Sequence, residues 1–375
     1  MHAYQGCDQR QLRGERPPSS LGSLGIAAAC LIVLLQACAQ PAAGESGVFI
    51  ASPGRGAIEL LGQPAGAPVW APNGDAIAWA TEDGLYRREI TANAPTLLST
   101  RAAAGRPAWS PDGGVLAIVD REAETLVALD AATGETRFEL DIATRDARHR
   151  PLALPVLGGP AWSPDGTRLA FNCWDGHGDE ICVVQADGSG NIQLTHIQTR
   201  RTPSQPPPDA FILASSNAGP PAWSPQGDEL ALAVYPEQRG AASGVFVVDL
   251  VAGKARRVST LLPNSEIAWF PDGGSLLFSA RDQGRSDAFR VPTAAEAGEA
   301  KRLTEALTSG AREPALSPDQ TRLAVASGGD VAILDIQGNV QASIDGGMAH
   351  RHPAWRPEGD WIAFEAAPDP LESYS

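Results

Sequence analysis

The sequence predicts an all-β fold made of seven copies of one β-repeat. Three observations support this: a twelve-residue string recurs, its centre has the composition of a tight turn, and alternating large and small apolar residues follow the turn. The copies align without gaps at 68–79, 107–118, 160–171, 221–232, 267–278, 314–325 and 353–364. Six intervals of about 47 residues separate Trp70 in the first copy from Trp355 in the last, a period typical of repeat architectures.

Each copy has the pattern of a β-hairpin. The commonest central string, Ser-Pro-Asp-Gly, suits a type I turn in which Pro fixes the second position and Gly accepts a positive φ. Positions five and seven after the Pro are large and apolar in every copy, and the residue between them is Ala in six of the seven. This alternation indicates a strand, and the small residue indicates a second sheet packed closely against it. The recurrent Asp and Trp are therefore interpreted as structural, in the turn and between sheets.

Two further strands follow most copies, as apolar runs joined by Gly-containing turns at 181–195, 245–259 and 331–344. Four strands per repeat, A to D, in seven repeats predict a seven-bladed β-propeller. The last copy supplies only strands A and B, while residues 47–62 contain two strands that precede the first copy. We expect these N-terminal strands to serve as C and D of the last blade, which closes the ring without a free sheet edge.

The repeat resembles that of the TolB-type family of PD-repeat β-propellers, which are relatives of the WD-repeat propellers. The resemblance is carried by the seven copies of the Trp-Ser-Pro-Asp-Gly type and covers about 320 residues of the chain. It implies six blades, whereas the repeat count predicts seven. It also implies protein partners in the cell envelope.

The first 37 residues have the features of an export signal. Residues 10–16 are basic, residues 24–37 are apolar, and the string Leu-Leu-Gln-Ala-Cys ends at Cys38. This string resembles a bacterial lipobox, which implies that Cys38 becomes the acylated first residue of the mature protein. The alternative is a plain signal peptide or anchor helix with a chance Cys.

The predicted organisation follows from these segments. It comprises a signal peptide (1–37), a tether (38–46), the propeller (47–365) and a C-terminal tail (366–375). We expect a lipid-anchored protein of the cell envelope, on the periplasmic side of the outer membrane or the outer face of the cytoplasmic membrane.

The chain is acidic, with a formal net charge of −15, and only two of its 29 basic residues are Lys. Nucleic-acid binding needs a basic surface to contact phosphates, so nucleic acid is excluded as a partner. The sequence contains neither a G-x-S-x-G nor an H-E-x-x-H motif, and no cofactor is predicted. These observations favour a binding protein over an enzyme.

The long irregular segments, 141–159, 196–219, 234–244 and 281–287, follow strand B or strand D. In a propeller, the B–C and D–A connections lie on one face, which we call the loop face, and the A–B and C–D turns lie on the other. Loops on a rigid scaffold often carry function. The candidate ligand- or partner-binding residues are Arg106, Arg148, His149, Arg150, Trp174, His177, Arg200, Arg201, Arg312, Arg351 and His352. Arg offers bidentate contacts to carboxylate or phosphate, but these residues also fit solvated loop charges.

Cys173 and Cys182 flank a B–C hairpin centred on His177 and Gly178. We expect the two cysteines to lie opposite each other and to form a disulfide in an oxidising compartment. The acidic residues of this hairpin lack the spacing of an EF-hand loop, and residues 350–352 offer two His without a visible third ligand. No metal site is predicted.

The sequence favours a lipid-anchored propeller that acts as a protein-binding or assembly scaffold. One alternative is a propeller enzyme, such as a polysaccharide lyase or hydrolase, with residues at the channel mouth. Another is a sensor of a small anionic ligand.

Overall fold

The structure is a computed structural model. It describes residues 46–53, 58–120, 122–142, 159–174, 179–197, 211–213, 217–235, 243–294, 299–345 and 348–367. These residues form 31 β-strands. None of them belongs to a helix long and apolar enough to cross a membrane.

The strands of the first half of the chain begin with the pair β1 (Gly47–Ala51) and β2 (Ile58–Gly62). Blade 1 contains β3 (Pro68–Trp70), β4 (Ala76–Thr81), β5 (Gly84–Glu89) and β6 (Thr96–Ser99). Blade 2 contains β7 (Ala103–Trp109), β8 (Val115–Asp120), β9 (Thr125–Asp130) and β10 (Thr136–Asp141). Blade 3 contains β11 (Ala161–Trp162), β12 (Arg168–Trp174), β13 (Asp179–Gln185) and β14 (Ile192–Gln193). Three short strands follow it: β15 (Thr195–Ile197), β16 (Phe211–Leu213) and β17 (Asn217–Ala218).

The second half of the chain continues the same pattern. Blade 4 contains β18 (Ala222–Trp223), β19 (Glu229–Tyr235), β20 (Gly244–Asp249) and β21 (Lys254–Ser259). Blade 5 contains β22 (Ala268–Trp269), β23 (Ser275–Asp282), β24 (Arg285–Pro292) and β25 (Lys301–Arg302). Blade 6 contains β26 (Arg312–Leu316), β27 (Arg322–Ser327), β28 (Asp330–Asp335) and β29 (Val340–Ile344). The last two strands are β30 (Ala349–Trp355) and β31 (Ile362–Ala367).

Seven four-stranded blades arranged as a β-propeller confirm the predicted fold class and blade number. The seventh blade has the order β2-β1-β31-β30, so it combines strands from both ends of the described chain. In its central pair, Phe49 lies opposite Phe364 and their rings stack with centroids 5.9 Å apart. Strand β31 ends at Ala367, two residues beyond the predicted end of the propeller.

Strand B of each blade is buried on both faces, because sheets pack on either side of it. The large residues five and seven positions after the Pro, such as Leu169 and Phe171, are fully buried in their blades, and so is Ala170 between them. A larger side chain at the Ala position would push neighbouring blades apart, which explains the alternation in the repeat.

The recurrent Trp of strand A joins neighbouring blades by hydrogen bonds. In six blades its Nε1 donates to the carbonyl oxygen of the residue preceding the equivalent position in the previous blade. The pairs are Trp70–Ala354, Trp109–Val69, Trp162–Ala108, Trp223–Ala161, Trp269–Ala222 and Trp355–Ala315, at 2.9–3.3 Å. Blade 6 has Leu316 at this position and lacks the donor. The Trp thus packs between sheets, as predicted, and also bonds them together.

The A–B turns form the second set of contacts between blades. In blade 2, the Ser110 hydroxyl donates to Asp112 (2.6 Å) and accepts from the backbone N–H of Val115 (2.9 Å), while Gly113 has φ 73°. Gly113 lies against Pro72 of the preceding turn, and Gly166 lies in the same way against Pro111. The tight turns therefore line one face of the ring, as predicted for Ser-Pro-Asp-Gly.

Two expectations about the loops were wrong. Residues 281–287 do not form a long irregular segment: β23 and β24 pair as far as Asp282 and Arg285, leaving a two-residue turn. Its central residues, Gln283 and Gly284, have φ 50° and 87°, the backbone typical of tight hairpin turns. The segment 196–219 contains regular structure, because β15 and β16 pair in parallel and β17 bridges β13 and β19. Blades 3 and 4 are therefore joined into one nine-stranded sheet.

The expected register of the two cysteines was also wrong. Cys173 lies opposite Glu180 and Cys182 lies opposite Phe171, so the cysteines are diagonal neighbours. The reason is that the hairpin pairs as far as Trp174 and Asp179, which moves its centre one residue toward the N-terminus. Diagonal neighbours share one face of the sheet, and the Cα atoms are 5.8 Å apart with the two Sγ atoms bonded.

Candidate functional site

The loop face is defined in the structure by contacts between B–C and D–A connections. In blade 5, the Nη1 of Arg285 donates to the carbonyl of Leu307 at 3.0 Å. In blade 6, the Ser327 hydroxyl donates to the carbonyl of Gly310 at 2.6 Å. Each of these bonds joins a B–C hairpin to a D–A segment, so the two kinds of connection lie on one side. Two cavities involve residues of these segments.

The first cavity, which we call the channel cavity, has a volume of about 350 Å³. Trp162, Trp223 and Trp269 line it, together with alanines and prolines from strand A and the residues before it. Its charged lining residues are Arg106 and Glu266. Most of its lining side chains are therefore apolar, and Arg106 and Glu266 add one ion pair.

Arg106, a predicted ligand-binding residue, is engaged within the protein. Its Nη2 donates to the carbonyls of Pro68 (2.9 Å) and His352 (3.4 Å), and its Nη1 lies 3.5 Å from Glu266. These partners belong to blades 1, 7 and 5, so one side chain from blade 2 links four blades. We interpret Arg106 as a structural residue that connects blades on different sides of the channel.

The second cavity, which we call the arginine cavity, has a volume of about 640 Å³ and lies among blades 5, 6 and 7. It brings together the predicted residues Arg312, Arg351 and His352 with two further arginines of the loop face, Arg281 and Arg285. Its neutral polar lining residues are Asn264, Ser286, Ser309 and Ser327. This size is within the range of small-ligand sites, roughly 300–1,000 Å³.

His352 at the edge of this cavity is held between two carboxylates. Its backbone N–H donates to Glu313 Oε2 at 2.6 Å, and its Nε2 lies 3.4 Å from Glu313 Oε1. On its other side, Nδ1 lies 2.8 Å from Glu365 Oε2. Burial raises the pKa of Glu365, but the hydrogen bond with His352 and the nearby Arg charges outweigh it, so its pKa lies below the usual value. The imidazole is thereby fixed in one orientation.

Glu313 and His352 share an unusual backbone. Both have a φ of 52°, which is uncommon for residues other than Gly, and both immediately precede the Pro of strand A. In each strand the register with strand B shifts by one residue nearby, which is a β-bulge. Such backbone persists only where surrounding contacts hold it, and the Glu313–His352 bonds are such contacts.

His350 also lines the arginine cavity but is only 4% exposed. Its ring packs on Phe364 at 4.7 Å between centroids, and its Nδ1 lies 3.2 Å from the carbonyl oxygen of Ile344. Burial lowers the pKa of His350 and outweighs the opposing effects of that carbonyl and of Asp330 and Asp345. His350 is thus a neutral structural residue at the base of the cavity.

The remaining predicted residues lie away from this cavity or outside the described part of the chain. Trp174 ends β12 in blade 3 and donates its backbone N–H to Ile142, next to the disulfide. The residues Cys38, Arg148, His149, Arg150, His177, Arg200 and Arg201 lie outside the described residues. Within the described ranges, no group of three or more His, Cys, Asp or Glu side chains is placed to hold a metal ion.

Glu313 and Glu365 are site residues that the sequence reasoning missed. Glu313 occupies the same repeat position as His352, directly before the Pro of strand A, so extending the repeat alignment by one residue would have paired them. Glu365 follows the second large residue of strand B, where no repeat signal marks it. The sequence gives no sign that it lies opposite Arg351.

Comparison with known proteins shows similarity to TolB-type β-propellers. The family model described as "TolB beta propeller domain" matches residues 209–371. "Tol-Pal system protein TolB" from Thioalkalivibrio sulfidiphilus is 35% identical over 77 residues, 19% of this chain and 17% of that protein. "Uncharacterized peptidase YuxL" from Bacillus subtilis is 23% identical over 232 residues, 57% of this chain and 30% of that protein. The chain therefore spans less than a third of the length of these relatives.

Structural similarity extends further along the chain. The crystal structure of TolB from Acinetobacter baumannii superimposes with a TM-score of 0.50 at 17% identity, covering 90% of this chain and 74% of that one. At this identity the similarity concerns the fold. Together with the seven-bladed ring and the family model that matches residues 209–371, it shows that this chain is a β-propeller similar to the TolB-type propellers.

Proposed function

We propose that this protein is a lipid-anchored scaffold of the bacterial cell envelope that binds a protein partner on its loop face. The observation that carries the proposal is the difference between the two faces of the ring. One face bears tight turns of nearly uniform sequence, packed against one another. The other bears the elements that break the repeat: β15 to β17, the bulged ends of β26 and β30, and both cavities.

The TolB-type fold is consistent with a protein-binding scaffold. The relative named as a Tol-Pal system protein, together with the export signal and Cys38 of this sequence, supports a location in the cell envelope. An anchored ring presents its partner surface in a fixed orientation, which reduces the entropy lost on assembly.

The partner surface can be tested by photo-crosslinking in intact cells. A crosslinking amino acid at Ser309 would lie on the loop face, where this residue is exposed. The matched control position is Asn73, which is also exposed but lies in the A–B turn of blade 1. We expect discrete protein adducts from position 309 and none from position 73. Adducts from position 73 alone would place the partner surface on the other face.

Anchoring is tested separately. Replacing Cys38 by Ser removes the predicted acylation site, so the protein should move from the membrane fraction to the soluble fraction. Several acyl chains hold a protein at a membrane far more firmly than one. Retention of the Cys38→Ser protein after salt and carbonate washing would contradict lipid anchoring and leave the crosslinking result unaffected.

A further inference from the structure

The position two residues before the Pro of strand A differs among the blades in a way that a structural role does not explain. In this part of the repeat, blades 1, 2, 3 and 4 have Gly and blade 5 has Ser. Only blades 6 and 7 have a long charged residue there, Arg312 and Arg351. A residue that maintained the ring would recur around it, whereas these two arginines occur in adjacent blades that line one cavity.

The local backbone determines in which blades a long side chain has room at this position. In blade 1, a Cβ added at Gly66 would lie 2.6 Å from the carbonyl oxygen of Ala80, so a side chain does not fit there. In blades 6 and 7, the β-bulge and the positive φ of the next residue change the course of strand A at this point. The same two features that hold Glu313 and His352 therefore give Arg312 and Arg351 room to enter the cavity.

Three arginines that line this cavity form no ion pair with a described carboxylate. Ten arginines of the described chain lie within 3.8 Å of a carboxylate: Arg87, Arg88, Arg101, Arg106, Arg137, Arg256, Arg285, Arg302, Arg322 and Arg356. The other six described arginines have no such carboxylate: Arg168, Arg257, Arg281, Arg290, Arg312 and Arg351. Three of the six, Arg281, Arg312 and Arg351, line the arginine cavity. Arg285 in the same cavity is neutralised by the buried Asp287 at 2.9 Å. The lining of the cavity thus carries four arginines and one carboxylate, that of Glu313, while Glu365 lies opposite Arg351 on the neighbouring strand.

We propose that the arginine cavity binds a small organic anion that carries two or more carboxylate or phosphate groups. Arg312 and Arg351 provide two planar guanidinium groups from equivalent positions of neighbouring blades, and each can make a bidentate contact with one anionic group. Arg281 adds a third positive charge at the rim. Ser286, Ser309 and Ser327 supply hydroxyl groups for the neutral polar atoms of such a ligand.

Isothermal titration calorimetry of the full chain with citrate and, separately, with pyrophosphate tests this site. Sodium chloride at matched ionic strength is the reference, because simple screening affects all exposed charges. We expect one of the two anions to bind with one-to-one stoichiometry. Binding of citrate alone indicates a carboxylate ligand, and binding of pyrophosphate alone indicates a phosphate ligand.

The double variant Arg312→Gln/Arg351→Gln should weaken this binding at least tenfold, since it removes two charge-assisted contacts. The matched control is Arg257→Gln, which removes an exposed arginine on β21, far from the cavity lining; it should leave binding unchanged. Arg281→Gln should weaken anion binding by a smaller factor. This single variant replaces the double variant in the test if the double variant is unstable. Absence of binding by both anions, or binding that only Arg257→Gln weakens, would overturn the proposal.

Discussion

The indole Nε1 of Trp70 donates a hydrogen bond to the carbonyl oxygen of Ala354 at 3.0 Å, and 284 residues of chain separate the two. The bond joins blade 1 to the C-terminal hairpin of blade 7. It supports the closure made by β1 and β31, because opening that strand pair would free the hairpin that carries Ala354. The repeated Trp thus contributes to closing the ring as well as to packing within it.

Replacing Trp70 by Phe should lower the free energy of unfolding by about 1 kcal/mol, the net value of one hydrogen bond. Phe keeps an aromatic side chain at this position, so most of the packing against neighbouring residues survives. Trp162→Phe, which removes the equivalent bond to Ala108, is the matched control within the continuous chain. Urea denaturation followed by unfolding kinetics should show faster unfolding for Trp70→Phe than for Trp162→Phe, because only Trp70 contacts the C-terminal hairpin.

Arg322 should stabilise the contact between blades 6 and 7 in a way that Lys cannot reproduce. Its guanidinium lies 4.6 Å from the ring centroid of Trp355, and Nη2 donates to the carbonyl of Gly359 at 2.9 Å. We expect Arg322→Ala to cost about 1–2 kcal/mol, the sum of a cation–π contact and a charged hydrogen bond. Arg322→Lys should recover less than half of this loss, because an ammonium group lacks the planar fork. Full recovery in thermal melts would contradict this assignment.

The disulfide between Cys173 and Cys182 closes a short loop, with a sequence separation of 9 residues. Constraining such a loop in the unfolded chain is worth about 2–3 kcal/mol. The Cys173→Ser/Cys182→Ser variant should therefore melt at a lower temperature than the oxidised protein. Adding reductant should lower the melting temperature of the wild type and leave the variant unchanged. An equal decrease of the melting temperature in both proteins would show that the reductant does not act through this disulfide.

The buried His350 should make stability depend on pH near neutrality. Burial lowers its pKa in the folded protein, whereas in the unfolded chain it takes up a proton near pH 6.5. Below about pH 6.5 the unfolded state therefore binds more protons, and the free energy of unfolding falls as the pH falls. Urea denaturation at pH 7.5 and 5.5 should show this loss in the wild type and a smaller loss in His350→Gln.

A turn carboxylate provides the control for that experiment. The hydroxyl of Ser163 and the N–H of Thr167 lower the pKa of Asp165 to about 2. Its contribution to the free energy of unfolding is therefore lost only in solutions more acidic than pH 5.5. Asp165→Asn should leave the difference between pH 7.5 and 5.5 unchanged. A change as large as that of His350→Gln would show that His350 is not the group responsible.

The blade count and the composition of each hairpin could be predicted because each depends on local sequence. The Ser-Pro-Asp-Gly turns and the alternating apolar residues of strand B recur in each copy. The number of copies therefore predicts the number of blades in the ring. The hairpin of Cys173 was placed one residue off its register because the symmetry of the cysteines was taken as the centre. The pairing of Trp174 opposite Asp179 sets the register instead, and nothing in the local sequence marks it.

The candidate site was predicted only in part, since it depends on which blades lie side by side. Arg312, Arg351 and His352 were identified from their place before strand A. Arg106 bonds to residues of blades 1, 5 and 7, whereas Arg312 and Arg351 line a separate cavity. Those contacts join residues far apart in sequence, such as Arg106 and His352, and no periodic pattern encodes them.

The composite seventh blade also sets the order in which the chain can fold during synthesis. Strand β1 ends at Ala51, and its partner β31 begins at Ile362. At typical translation rates of about 5–20 residues per second, β1 waits roughly 15–60 seconds for that partner after it has been made. During this interval we expect blades 1 to 6 to assemble as an open arc whose two ends each expose an unpaired sheet edge. Protection of those edges by a chaperone would then be most needed just before synthesis ends.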